Sequence, residues 1–184
     1  MPIRKINLIE GHLYHIYNRS VADNLLFIEE KNYHFFLSKI KEYLLVTADV
    51  LAYCLMPNHY HLIVQLKNTE LSRSMQLLAM SYATAVNKMY QRSGHVFHGR
   101  YQIKHITDQI YLDHLSKYIH LNPSSAGVVV KPEDWGFSSY WEYIRLRKLD
   151  FINPMIILDQ FRTEDEKGLE KARLNYQRFV EDYE

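Results

Sequence analysis

The chain has 184 residues, 47% of them hydrophobic and 23% charged, with a formal net charge of +1. That is the size of one domain with enough apolar residues for a core; it excludes wholesale disorder and leaves any nucleic-acid partner to be argued from local charge. The single cysteine, Cys54, excludes an internal disulfide framework and a thiolate zinc cluster. No apolar run approaches the ~20 residues that cross a bilayer. Met1-Pro2-Ile3-Arg4-Lys5 lacks the apolar core of a signal segment, so a soluble cytoplasmic protein without a membrane partner is expected.

In chain order, His12 to Tyr17 reads as a strand, ended by Asn18-Arg19-Ser20. Glu29 to Leu45 carries Tyr33, Phe36, Leu37, Ile40 and Leu44 at helical spacing. Val50 to Met56 and His59 to Leu66 read as a hairpin about the turn signal Pro57-Asn58. Leu71 to Tyr90 reads as a long helix, ended by Ser93-Gly94. Val96 to Ile106 reads as a strand kinked at Gly99. Gln109 to Leu121 reads as a helix stopped by Pro123, because the residue before proline disfavours the α region. Ser138 to Leu149 reads as a further helix, and a polar helix follows from about Thr163. The order β-α-β-β-α-β-α predicts an α+β sandwich, with a central antiparallel sheet and helices packed mainly on one face. The division expected is a domain over residues 1–150 and a C-terminal tail, helical, over 151–184.

Charge is uneven. From Leu71 to Thr107 there is no acidic residue, whereas Arg73, Lys88, Arg92, Arg100 and Lys104 are basic; the tail from Asp159 is net acidic. Ordinary solvated charge is one reading; a phosphate-contacting helix–strand unit, masked in the total by the acidic tail, is the other.

The first chemical motif is Met56-Pro57-Asn58-His59-Tyr60-His61. Strand residues two apart share a face, so His59 and His61 project together and Tyr60, Leu62 and Val64 project oppositely. Neutral imidazoles so placed can grip one divalent ion, which predicts metal affinity falling below about pH 6.5. By itself an H-x-H pair is more often a pair of solvated histidines.

The second motif is Tyr118-Ile119-His120-Leu121-Asn122-Pro123. Tyr118 and Asn122 are four apart on one helix face, with His114 one turn before. The Asn122 oxygen is a hard donor that completes a facial N,N,O set with His59 and His61. Taken singly, Tyr118 is one of 15 tyrosines and reads as a packing residue. Together the groups suit attack on phosphorus: the ion stabilises transition-state charge, and a tyrosine oxygen forms a covalent phosphotyrosine. A covalent link conserves the broken bond's energy and permits rejoining.

These stretches resemble a known family. His59-Tyr60-His61 after Pro57-Asn58 resembles the HUH motif of single-tyrosine transposases, and the Tyr118 to Pro123 run resembles the nucleophile helix of its REP-associated branch. Gly94-His95-Val96-Phe97-His98-Gly99-Arg100-Tyr101, Trp135-Gly136-Phe137-Ser138-Ser139-Tyr140 and the opening His12 to Arg19 are similar to that branch too, in the same order. The resemblance runs from about His12 to Tyr143. It implies a ferredoxin-like fold, Tyr118 as nucleophile, and His59, His61 and Asn122 as ligands for Mg²⁺ or Mn²⁺. It implies a transposase that cleaves and rejoins single-stranded hairpin DNA through a 5′-phosphotyrosine, freeing a 3′-hydroxyl. Insertion-sequence relatives act as dimers with shared sites and REP-associated relatives as monomers, so monomer and homodimer are both open. Two positions depart from the family pattern: Ser124-Ser125-Ala126-Gly127 lacks a usual basic residue, and His98 stands where glutamine is usual.

On this reading Arg19, Arg73, Lys88, Arg92, Arg100 and Lys104 are candidate DNA-binding residues, and Tyr17, Tyr90 and Tyr101 candidate base stackers. Two other functions are consistent with the residues: a catalytically silent hairpin-binding protein, and a metal-dependent phosphodiesterase with no covalent step.

Overall fold

Side-chain alternation along the strands divides the buried residues into two sets. Tyr14, Ile16, Val50, Tyr53, Leu55, Tyr60, Leu62 and Val64 belong to one apolar cluster. Leu51, Ala52, Cys54, Met56, Ile63 and Ile106 belong to a second. The computed structural model describes residues 6–163 and 168–182. Its sheet holds β1 (Leu13–Arg19), β2 (Ala48–Met56), β3 (His59–Leu66) and β4 (Gln102–Ile106). Every pairing is antiparallel, in the spatial order β2-β3-β1-β4. This is the strand order of the ferredoxin-like fold that the resemblance implied.

The helices are α1 (Glu30–Lys39), α2 (Leu71–Met89), α3 (Gln109–Ser125), the single turns α4 (Tyr140–Tyr143) and α5 (Met155–Leu158), and α6 (Leu169–Glu181). Phe36 and Leu37 of α1 and Leu71, Met75, Leu78, Tyr82 and Val86 of α2 cover the first face. The expectation of helices mainly on one face fits α1 and α2 but not the rest. The second face is covered as well, by Leu112, Leu115 and Ile119 of α3 and by Ile157, Leu158, Tyr176 and Val180. Among the described residues no helix is long and apolar enough to cross a membrane.

Five elements differ from their sequence reading, each for a local reason. The helix predicted through Leu45 is α-helical only to Lys39 and continues as a π turn over Ile40–Leu44, where Leu45 N–H reaches Ile40 O at 3.3 Å. The strand predicted over Val96–Ile106 shrinks to β4, because Gly99 takes φ 151° and its carbonyl accepts from Asn18 Nδ2 at 3.0 Å instead of entering a ladder. Pro123 does not stop α3. The helix ends at Gly127, φ 68°, where Gly127 N–H bonds Ser124 O at 3.0 Å and Val128 N–H bonds Pro123 O at 2.9 Å. The helix predicted over Ser138–Leu149 is a single turn. Arg145 is left-handed at φ 64°, and Arg147 folds back to donate to Gly136 O, Ser138 O, Tyr53 OH and Glu142. The tail helix is amphipathic, not polar throughout: Ala172, Tyr176 and Val180, four apart, are fully buried. Residues 164–167 and 183–184 of the predicted tail and Met1–Lys5 lie outside the described residues.

Candidate nucleic-acid-processing site

Both histidines of the first motif stand on the second face of the sheet, as alternation predicts. The register sets His61 opposite Tyr17 and His59 opposite Arg19. β1 also pairs with β4, which sets His15 opposite Lys104 and Tyr17 opposite Gln102. His15, Tyr17, His61 and Lys104 therefore converge from three strands on one face. With Tyr111, Leu115 and Tyr118 of α3 they line an open cleft of about 350 Å³.

The seating of α3 decides what enters that cleft. Asp108 caps its N-terminus, accepting from Tyr111 N–H at 2.8 Å. Leu112, Leu115 and Ile119 bury its apolar side. His120, fully buried, pins its last turns: Nδ1 lies 2.7 Å from Tyr176 OH and Nε2 2.8 Å from Ser139 Oγ. Tyr176 OH in turn donates to Ser116 Oγ at 3.0 Å. A neutral His120 with its proton on Nδ1 satisfies this chain, and burial pushes its pKa down to about 3. Residues two apart on a helix point in very different directions, so anchoring His120 inward turns Tyr118 outward. Tyr118 is 54% exposed, and its ring meets His61 edge to face with centroids 5.7 Å apart. Because α3 runs through Pro123, Asn122 stays helical one turn beyond Tyr118, where it is 8% exposed. Its side chain neighbours the His59 imidazole.

The imidazoles are held neutral. Burial first, then the neighbouring His15 and His59, push the His61 pKa down to about 3. Burial and then Lys104 push His15 down to about 4. Burial lowers His59 too, opposed by the neighbouring Asn122 side chain. The rings of His59 and His61 stand 5.1 Å apart at 85°. His59 Nδ1 lies 2.7 Å from Asn58 Oδ1, an atom that only accepts, so this contact puts the proton on Nδ1 and leaves the lone pair on Nε2.

The structure thus brings Tyr118, His59, His61 and Asn122 together. Lys104 lines the cleft, its Nζ 5.9 Å from the Tyr17 ring centre, and exposed Arg19 sits beside His59 in register. It does not bring in Arg73 and Lys88, which are exposed on α2 over the opposite face. Arg92 and Arg100 lie in the loop between α2 and β4. Tyr90 hydrogen-bonds Glu29 and Asn32, Tyr101 contacts Ser72, and His114 packs against Phe179. His15 and Tyr111 were not singled out by sequence. Tyr111 was findable, since 111, 115, 118 and 122 fall on one helix stripe. His15 was not, because its nearness to His61 depends on strand register.

Chemically the cleft offers two neutral imidazoles, phenols and an ammonium group, with the His59 imidazole and the Asn122 carboxamide beside it. Among the described residues no three His, Cys, Asp or Glu side chains are arranged to hold a metal. A divalent ion here would therefore need Asn122 beside His59 and His61; the carboxamide oxygen is the hard donor that suits Mn²⁺ or Mg²⁺, with open positions left.

Known proteins share both the sequence pattern and the fold of this site. A family model described as transposase, IS200-like, matches residues 12–122. The solved structure of a REP-associated tyrosine transposase bound to a REP hairpin is similar with a TM-score of 0.65 at 15% identity, over 83% of this chain and 98% of that chain. At that identity the likeness is one of fold. No curated protein matches. The family match takes in β1, both histidines and α3 as far as Asn122, more than half of the chain, and so the chain belongs to the IS200-like transposase family.

Proposed function

We propose that this DNA transposase cleaves and rejoins single-stranded hairpin DNA through a 5′-phosphotyrosine on Tyr118. The observation that carries the reading is the exposed Tyr118 ring, edge-on to His61 in an open cleft, with the His59 ring 5.1 Å from that of His61. The family match and the fold shared with a hairpin-bound transposase support the DNA class.

His59, His61 and Asn122 would hold Mg²⁺ or Mn²⁺, which when bound polarises the phosphodiester and offsets charge developing in the transition state. Tyr118 is the attacking group. Its oxygen bonds to phosphorus, the P–O3′ bond breaks, and the departing 3′ oxygen takes a proton to become a hydroxyl, while the Tyr118 proton passes to solvent. Lys104 and Arg19 hold the backbone phosphates at the cleft, and Tyr17 and Tyr111 offer ring faces to unpaired bases. Tyr118 meets His61 of its own chain, which supports a site complete within one protomer.

The test is a covalent-adduct assay. A pool of single-stranded hairpins labelled at the 3′ end is incubated with protein and Mn²⁺ and run on a denaturing gel. A labelled protein band absent from Tyr118→Phe is expected. Turnover unaffected by Tyr118→Phe would assign the cleft to a hydrolytic phosphodiesterase; a native-gel shift with no adduct would leave a hairpin-binding protein.

A further inference from the structure

Each imidazole that faces a cation must keep one nitrogen lone pair free, and what bonds the other nitrogen decides which. For His59 that partner is Asn58 Oδ1. For His61 it is another imidazole. His61 Nδ1 lies 2.9 Å from His15 Nε2, the two rings stacked with centroids 5.1 Å apart. They are diagonal neighbours across β1 and β3: His15 pairs with Ile63, His61 with Tyr17. His15 is 6% exposed and His61 7% exposed.

Between two neutral rings one proton occupies this contact. If it sits on His61 Nδ1, the His61 Nε2 lone pair is free. If it sits on His15 Nε2, His61 must carry its own proton on Nε2 and has no donor there. Either way His15 Nδ1 is left over, and it is one of two buried side-chain polar atoms without a partner among the described residues. Nothing in the fold needs that orphan: Leu13 and Tyr17 flank it on the same face, and an apolar residue would fill the position without a desolvated nitrogen. Such a group at the edge of a reaction cleft has its explanation in what it does to its neighbour.

We propose that His15 is a positioning residue for His61: its Nε2 accepts the His61 Nδ1 proton and keeps the His61 Nε2 lone pair available to a divalent cation. This inference rests on the metal reading of the cleft and deepens it. An imidazole in this role, unlike the carboxylate common behind metal-bound histidines, orients the ligand without adding negative charge. The cation then keeps more of its pull on the phosphodiester.

The experiment has two readouts, neither of them turnover. Calorimetric titration of Mn²⁺ into wild type, His59→Ala, His15→Leu and His15→Gln measures affinity. Long-range ¹H–¹⁵N spectra of the same proteins, without metal and with Mg²⁺, read the His61 tautomer. Mn²⁺ binding lost in His59→Ala, weakened about 10–100-fold in His15→Leu and restored in His15→Gln is expected. The Gln amide oxygen reaches about as far as Nε2 and only accepts. The spectra should show His61 protonated at Nδ1 in wild type with Mg²⁺ and in His15→Gln. A folded His15→Leu that binds Mn²⁺ as wild type does would overturn the role of His15 and leave the metal reading standing. So would a His61 proton on Nε2 in Mg²⁺-loaded wild type, which needs no variant to fold. A wild type that binds no Mn²⁺ would overturn the metal reading and this inference with it.

Discussion

Tyr118 of α3 stands edge-on to His61 of β3, with ring planes at 81°. The contact exists because the opposite side of the same helix turn is fastened through His120 to Tyr176 and Ser139. The Tyr118 side of α3 is therefore exposed and the anchoring side is not.

That division separates two tyrosines by their effect on stability. Tyr118→Phe removes a hydroxyl from an exposed ring and should change unfolding free energy by less than about 0.5 kcal/mol. Tyr176→Phe strands His120 Nδ1 in the core, while Ser116 Oγ keeps its bond to Asp113 O, and should cost about 1–3 kcal/mol. Urea unfolding of the two variants checks both, and equal losses would count against the anchoring role.

Asn122 is the weakest donor of the proposed set and the one whose position depends on α3 continuing past Pro123. Asn122→Ala should lower Mn²⁺ affinity about tenfold or more while hairpin binding persists. Asn122→Asp, with a charged oxygen, should bind the ion at least as well as wild type. Calorimetry on the two variants decides it; unchanged affinity in Asn122→Ala would remove this residue from the site.

The sheet separates the basic residues into those at the cleft and those behind it. Lys104→Ala should weaken hairpin binding and reduce the slope of log affinity against log salt by about 0.7 for each phosphate it no longer neutralises. Lys88→Ala, on α2 over the far face, should leave the slope unchanged. Binding measured across a salt series distinguishes the two, and a larger effect in Lys88→Ala would put the DNA on the other side of the molecule.

Acid should destabilise the fold through its buried histidines. His15 is held down to about 4, and His61 and His120 to about 3, all by burial first. Unfolded, each takes up a proton below about pH 6.5. The unfolded chain therefore binds more protons between about 6.5 and those lower values. Stability is fully present above pH 6.5 and is lost as pH falls, by about 1.4 kcal/mol per pH unit for each such histidine. Unfolding curves between about pH 7.5 and 4.5 should show this, with a shallower dependence in His120→Gln. The same burial moves the proton competition for metal below the pH 6.5 expected of solvated histidines, so Mn²⁺ affinity should stay level somewhat past that point.

Much of the site was legible as spacing. His59 and His61 are two apart in a strand, and Tyr118 and Asn122 four apart in a helix, so each pair had to share a face whatever the rest of the chain did. The β-α-β-β-α-β order and the His59–Leu66 strand followed likewise from local periodicity and turn residues. What spacing leaves open is everything set by partners distant in the chain. Strand register brings His15 to His61 and Lys104 to the cleft, and register is not a property of one strand. The packing of α2 against the far face removes Arg73 and Lys88 from a charge run that looks continuous along the chain. The left-handed Gly127, not Pro123, ends α3, because a proline in the last turn forfeits one hydrogen bond whereas the Gly127 cap satisfies two carbonyls. Local sequence determined which side chains travel together; tertiary packing decided which of them meet, which are buried, and so which are neutral.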